Sequence, residues 1–198
     1  MKIVGISCSP RKGKSTKYAL DVCLKAVKEM VPDIETLLIE LSEMKMNGCL
    51  ACGKCMKVLE CSQEDDFPKM IPILSDPELA GLLVATPVYF GSMTSQCKAF
   101  LDRCVMFRRN GFLLRDKVGG VIAVGGVRNG GQELTIQTVQ AAMLVQDMVV
   151  VSEGRPTSHY GATLWSGHPD GIEKDAFGLE TARNLGKRVA EVAVKMHR

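Results

Sequence analysis

The chain lacks any apolar run approaching the ~20 residues that a membrane-spanning helix needs. It also lacks a marked excess of either charge. Its 25 basic and 22 acidic residues leave a net +3, a field too weak to point to nucleic acid as a partner. The chain opens on the strand-like MKIVGIS, so there is no basic segment followed by an apolar one of the kind that directs export. No repeat or low-complexity tract interrupts it, and neither the GxxxxGKS/T phosphate loop nor the GxGxxG dinucleotide turn is present. These absences lead us to expect a cytoplasmic protein with no membrane or nucleic-acid partner. Its length suits one well-cored domain, residues 1–198, better than two.

What is abundant is cysteine, and it is concentrated. Cys49, Cys52, Cys55 and Cys61 lie in the thirteen-residue stretch CLACGKCMKVLEC. Packing rarely requires that density, whereas soft-metal coordination does. A disulfide framework would have to persist in a reducing compartment, which disfavours it. Zinc sites usually join two separated cysteine pairs, whereas three cysteines at two-residue gaps form one compact nest. That run resembles the cluster-binding run of bacterial ferredoxins, but the last gap is five residues long and Ser62, not proline, follows. Cys61 is therefore the expected fourth ligand of a single 4Fe-4S cluster, with Cys8, Cys97 or Cys104 as remote alternatives. A thioredoxin-like thiol site is a weaker reading, because the CxxC lies in a crowded loop and not at a helix start. Cys23, Cys97 and Cys104 fall on helical patterns, where a thiol serves as a small hydrophobe.

Short branched runs at Lys2–Ser7, Ile34–Leu41, Leu79–Thr86, Val118–Gly125 and Met148–Val151 read as buried strands. Helical spacing fills Thr16–Val31, Thr94–Cys104, Gly131–Gln146 and about Asp175–Lys195. Strands alternating with helices predict an α/β fold, a doubly wound five-stranded parallel sheet in flavodoxin-like order 2-1-3-4-5 with helices on both faces. The cysteine-rich insertion, residues 46–66, follows the second strand. The acidic run Glu64-Asp65-Asp66 before Phe67-Pro68 reads as a helix start capped by Asp66. The segment Arg155–Gly171 is a long loop, a lid or an oligomer contact.

In such a sheet, ligands bind outside the carboxyl ends of the strands. The loop after strand one, SCSPRKGKST, offers hydroxyls, glycine and three basic side chains at a helix mouth, the composition that wraps a phosphate. After strand three, TPVYFGS places backbone amides beside two aromatics, which a planar heterocycle needs; Tyr89 and Phe90 as core residues are the alternative. After strand four, GGVRNGGQ is glycine-dense, as where backbone approaches a ligand closely.

Together SCSPRKGKST, CLACGKCMKVLEC, TPVYFGSMTSQCKAFLDR and VGGVRNGGQE resemble the flavodoxin-like NADPH-dependent FMN reductase family, and within it the iron-sulfur flavoproteins, over essentially the whole chain. The resemblance implies an FMN-dependent oxidoreductase in which a 4Fe-4S cluster relays electrons to or from FMN. The FMN phosphate would be held by Ser9, Arg11, Gly13, Lys14, Ser15 and Thr16. Its ring would be lined by Pro87, Val88, Tyr89, Phe90, Gly91 and Ser92 and closed by Gly125, Gly126, Arg128, Gly130 and Gly131. The metal ligands would be Cys49, Cys52, Cys55 and Cys61. Lys98, Phe100, Asp102 and Arg103 match the family's next helix and are read as packing and subunit contacts. The resemblance further implies a homodimer or homotetramer, a ferredoxin-like donor or NAD(P)H, and a small acceptor such as dioxygen, peroxide or a quinone. It requires no catalytic side chain, so His159 and His168 are read as loop or interface residues, and Trp165 as an interface residue. A plain NAD(P)H-dependent FMN or quinone reductase, and an FMN- or metal-binding redox sensor or carrier without turnover, stand as alternatives.

Overall fold

The computed structural model describes residues 1–197. The chain runs β1 (Lys2–Ser7), α1 (Ser15–Met30), β2 (Glu35–Glu40), the cysteine-rich segment, and α2 (Ile71–Leu74). It continues through β3 (Leu79–Pro87), α3 (Ser95–Arg103), α4 (Val105–Arg109), β4 (Val118–Gly125) and α5 (Gln132–Val145). Two short strands, β5 (Val149–Val150) and β6 (Ala162–Trp165), precede α6 (Ala176–Met196). Every pairing is parallel, in the order β2-β1-β3-β4-β5, as the strand–helix alternation predicts.

All nine residues of β3 and all eight of β4 are buried, which fits strands covered on both faces and explains their lack of polar alternation. Their alternate side chains separate two cores. Val4, Ile6, Val84 and Val121 face Phe67, Phe100, Phe107 and Ile136, under α3, α4 and α5. Ile3, Leu83, Ile122 and Val124 face Leu20, Leu24, Leu185 and Val189, under α1 and α6.

The fifth sheet position is shared. β5 pairs with Val118–Gly119 of β4, and β6 pairs further along the same edge with Ile122–Gly125. The segment expected as one long loop therefore contains a strand. Its four residues carry too short a pattern to be seen in sequence, and the partner half of β4 supplies their hydrogen bonds. Asp66 also departs from expectation: it gives no side-chain cap, and its carboxylate instead accepts the Lys45 N–H at 2.7 Å. The acidic pair thus closes the neck of the insertion.

On the second face α1 and α6 meet at Gly186, where a Cβ would run into the carbonyl oxygen of Cys23. Cys23 is fully buried there, and burial pushes its thiol up out of reach of ionisation. We expect Gly186→Val to force the helices apart at a cost of about 1–3 kcal/mol, typical of overpacking. Thermal denaturation should show a transition lowered by several degrees; an unchanged midpoint would mean that this contact does not set the helix spacing.

Candidate functional site

The loops after β1, β3 and β4 come together at the carboxyl edge of the sheet. In the first, Ser9 is buried and its hydroxyl accepts the Arg11 N–H at 3.1 Å, folding the turn back on itself. Arg11, Lys12, Gly13 and Lys14 are exposed. Lys14 gives α1 no side-chain cap, so the N–H groups of its first turn have no side-chain partner. Gly13 is left-handed at φ +64°, and its N–H donates to the Glu40 carboxylate at 2.8 Å. That donor is therefore engaged by Glu40, and the N–H groups without a side-chain partner are those of the first turn of α1.

Thr94 ties this loop to the next. Its hydroxyl donates to the Cys8 carbonyl at 2.7 Å and accepts the Cys97 N–H, capping α3. Between β3 and α3, Tyr89 and Ser92 exchange backbone hydrogen bonds of 2.8 and 3.1 Å across a tight turn. Phe90 and Gly91 at its tip are both left-handed, at φ +49° and +74°. Phe90 is fully exposed and Tyr89 about half so, at 47%. Neither is a core residue. A bulky residue held in a left-handed turn with its ring in solvent displays an aromatic surface at a conformational cost.

The third loop is braced by Gln132, a buried residue whose amide donates to the Val127 carbonyl at 2.6 Å and accepts the Gly130 N–H at 2.8 Å. Gly131 is left-handed at φ +94°, and a Cβ on it would lie 3.2 Å from the Gly91 Cα, so the second and third loops touch backbone to backbone. Nothing stands within 4 Å of where a Gly126 Cβ would be. Arg128 lies in this loop, but its guanidinium pairs with the buried Asp175 and faces the Trp165 ring. The Trp165 indole N–H donates to the Gly126 carbonyl at 3.0 Å, so this residue buttresses the loop from β6. Sequence reasoning missed Glu40, Gln132 and Asp175. Only Asp175 carried a local signal, as the cap of α6 accepting the Gly178 N–H.

The insertion forms a separate recess lined by Cys49, Cys52, Cys55 and Cys61 together with Arg103 and Arg109. All four thiols are free. Left-handed Ala51 and Gly53 wind the chain tightly around them. Each sulfur has a polar partner. The Ala51 N–H reaches Cys49 at 3.4 Å, Ser62 reaches Cys52 at 3.0 Å, Arg109 reaches Cys55 at 3.3 Å and Arg103 reaches Cys61 at 3.1 Å. The Ser62 contact, with backbone N–H groups, pulls the Cys52 thiol below its usual range. N–H donors on three sulfurs and a hydroxyl beside the fourth suit a set of thiolates. Among the described residues no three metal-binding side chains converge on a point as a single ion would need. The sulfurs instead lie around a recess.

Cys8, Cys97 and Cys104 lie elsewhere, buried in the core beneath α3, where desolvation pushes the Cys8 and Cys104 thiols up. Phe100 packs in that core, and Lys98 and Asp102 form an exposed ion pair. Arg103 is buried against the insertion. His159 bonds to the buried Glu153, and His168 lies edge-on to Trp165; neither lines the recess.

Comparison with known proteins bears on the family and the fold. The model of the NADPH-dependent FMN reductase family matches residues 1–163. An iron-sulfur flavoprotein of Methanocaldococcus jannaschii is 42% identical over 192 residues, 97% of each chain. One of Methanosarcina thermophila is 37% identical over 97% of this chain and 95% of its own. Among solved structures, a flavone reductase superposes with a TM-score of 0.72 at 19% identity, this chain covering 65% of its length. A flavodoxin-type WrbA-like protein of Agrobacterium tumefaciens gives 0.62 at 20% identity, with 98% of this chain and 97% of that one covered. The structural matches speak for the fold, the sequence matches for kinship. The chain belongs to the NADPH-dependent FMN reductase family, in its iron-sulfur flavoprotein branch.

Proposed function

We propose that this oxidoreductase is a two-centre electron-transfer flavoprotein, in which a 4Fe-4S cluster in the cysteine recess exchanges electrons with FMN at the sheet edge. The observation that carries this reading is the recess itself, with four free thiols around one space, N–H donors on Cys49, Cys55 and Cys61 and a hydroxyl beside Cys52. When bound, FMN accepts two electrons from a nicotinamide or single electrons from a metal centre, and the cluster supplies single electrons.

This chain's own residues would bind and orient both groups. Ser9, Arg11, Gly13, Lys14, Ser15 and Thr16 would hold the phosphate, with the free end of α1 adding its positive dipole. Pro87, Val88, Tyr89, Phe90, Gly91 and Ser92 would line the ring, and Gly125, Gly126, Gly130 and Gly131 would let backbone approach its other edge. Arg128 would act through Asp175 and loop shape. Cys49, Cys52, Cys55 and Cys61 would bind the iron. Exposed Arg109 in the recess lining and Lys57 elsewhere on the insertion suit an acidic, ferredoxin-like donor, while Lys54 is paired with Glu60; dioxygen, peroxide or a quinone would be the acceptor. The exposed Phe90 and Leu50 suit burial between subunits of a dimer or tetramer, where the insertion reaches a neighbour's flavin. The family model's own description, NADPH-dependent FMN reductase, supports reduction of FMN by NADPH, and the second reading is that this proceeds without a cluster.

The deciding experiment mixes anaerobic protein with NADPH or with a reduced one-electron carrier and follows flavin bleaching. The proposal expects fast bleaching by the carrier, lost in Cys52→Ala together with bound iron while FMN stays. Bleaching by NADPH alone, at the same rate in Cys52→Ala, would establish the second reading. Gly131→Ala should weaken FMN binding about tenfold, because a left-handed Ala costs roughly 1–2 kcal/mol. Fluorescence titration of flavin-stripped protein checks this, and unchanged affinity would remove the Gly91–Gly131 contact from the site.

A further inference from the structure

One buried side chain links the acidic neck of the insertion to its sulfurs. The Arg103 guanidinium, 1% exposed, pairs with the equally buried Asp65 and donates to the Asn47 carbonyl at 3.3 Å, so it joins the two ends of the insertion. Its other arm donates to Cys61 Sγ at 3.1 Å, and its carbon centre lies 4.3 Å from the middle of the Phe67 ring. Its Nε is buried with no partner, although the side chain lines the thiol recess.

A clamp alone does not account for this. A buried ion pair is commonly replaceable by well-packed apolar residues at no loss of stability. A clamp also does not require the second arm to face a sulfur, or a donor to stand unmet beside the recess. Both features are what a nearby anionic sulfur centre would use.

Resting on the cluster reading above, we propose that Arg103 is a positioning residue that sets the reduction potential of the centre bound at Cys61. Reduction by one electron adds one negative charge to the centre and makes or breaks no bond at Cys61. A cation and an N–H donor held dry beside the sulfur stabilise the added charge more than water would, so they raise the potential. Asp65 counteracts part of that effect, which gives the two residues opposite signs. Arg109 reaches Cys55 from the exposed side, where solvent and salt weaken it.

The test is an anaerobic redox titration of reconstituted holoprotein, following cluster and flavin separately, with iron counted in every sample. Lys in place of Arg103 keeps a charge opposite Asp65 but cannot reach both Asp65 and Cys61. Arg103→Lys should favour the oxidised cluster about tenfold, a fall of about 59 mV for one electron. Asp65→Asn leaves the guanidinium beside Cys61 without its counter-charge and should move the potential upward. The flavin potential should stay in place in both. Potentials unchanged in both variants, or moved in the same direction, would overturn the proposal. Should Arg103→Lys fail to hold iron, the sign of the Asp65→Asn shift decides alone. Wild-type protein that takes up no iron on reconstitution would instead overturn the cluster reading beneath it.

Discussion

A parallel sheet buried on both faces can present chemistry only at the ends of its strands. In this chain β3 and β4 are buried along their whole length, with Thr86 as their one polar side chain, and helices lie over both faces. Most groups available at such an edge therefore lie in the loops, with Glu40 at the end of β2 and Gln132 at the start of α5 beside them, and the strand order brings three of these loops together. They are held by contacts that engage backbone on at least one side: Gly91 against Gly131, the Cys8 carbonyl with the Thr94 hydroxyl, and the Gly126 carbonyl with the Trp165 indole of β6. Such contacts fix geometry without occupying the surface. Arg11, Tyr89, Phe90 and Gly126 are left open for a ligand.

The cysteine segment answers to a different constraint. It has little regular structure of its own, with a single 3-10 turn at Lys54–Met56, so its shape depends on its neck and on the groups that face its sulfurs. Asp65, Asp66 and Arg103 supply the neck. The helix that carries Arg103 begins at the residue after Thr94, which is bonded to the first loop. Nine residues of helix, about 13 Å at 1.5 Å per residue, thus join the edge read as the flavin site to the thiol recess through a rigid element. On the proposed reading, α3 fixes each chain's own flavin edge relative to its own recess, whichever subunit's flavin the cluster serves.

Much of this was legible in the sequence because it depends on local pattern. Apolar runs and helical spacing are short-range, and they located the order of the sheet and its four long helices. The three loops stood out through glycine, hydroxyl and basic residues, and the recess through cysteine spacing. The parts that were not legible depend on partners far along the chain. β6 is a strand because β4 has an unpaired half beside it, a fact absent from Ala162–Trp165 themselves. The Trp165 indole bonds to the Gly126 carbonyl, 39 residues away, which the residues around it do not announce. Arg103 reads as an ordinary helical arginine until Asp65 and Cys61, separated from it by 38 and 42 residues, are brought against it. That Cys61 lines the recess while Cys8, Cys97 and Cys104 lie in the core is likewise visible only in the fold.

The central claim is that one chain holds two redox centres, and a stoichiometric count tests it most directly. Protein purified without oxygen and reconstituted with iron and sulfide should carry about four irons with matching sulfide beside one FMN per chain, the complement of one cubane and one flavin. FMN at one per chain with no iron after reconstitution would contradict the claim and leave a flavin reductase whose four cysteines serve another purpose.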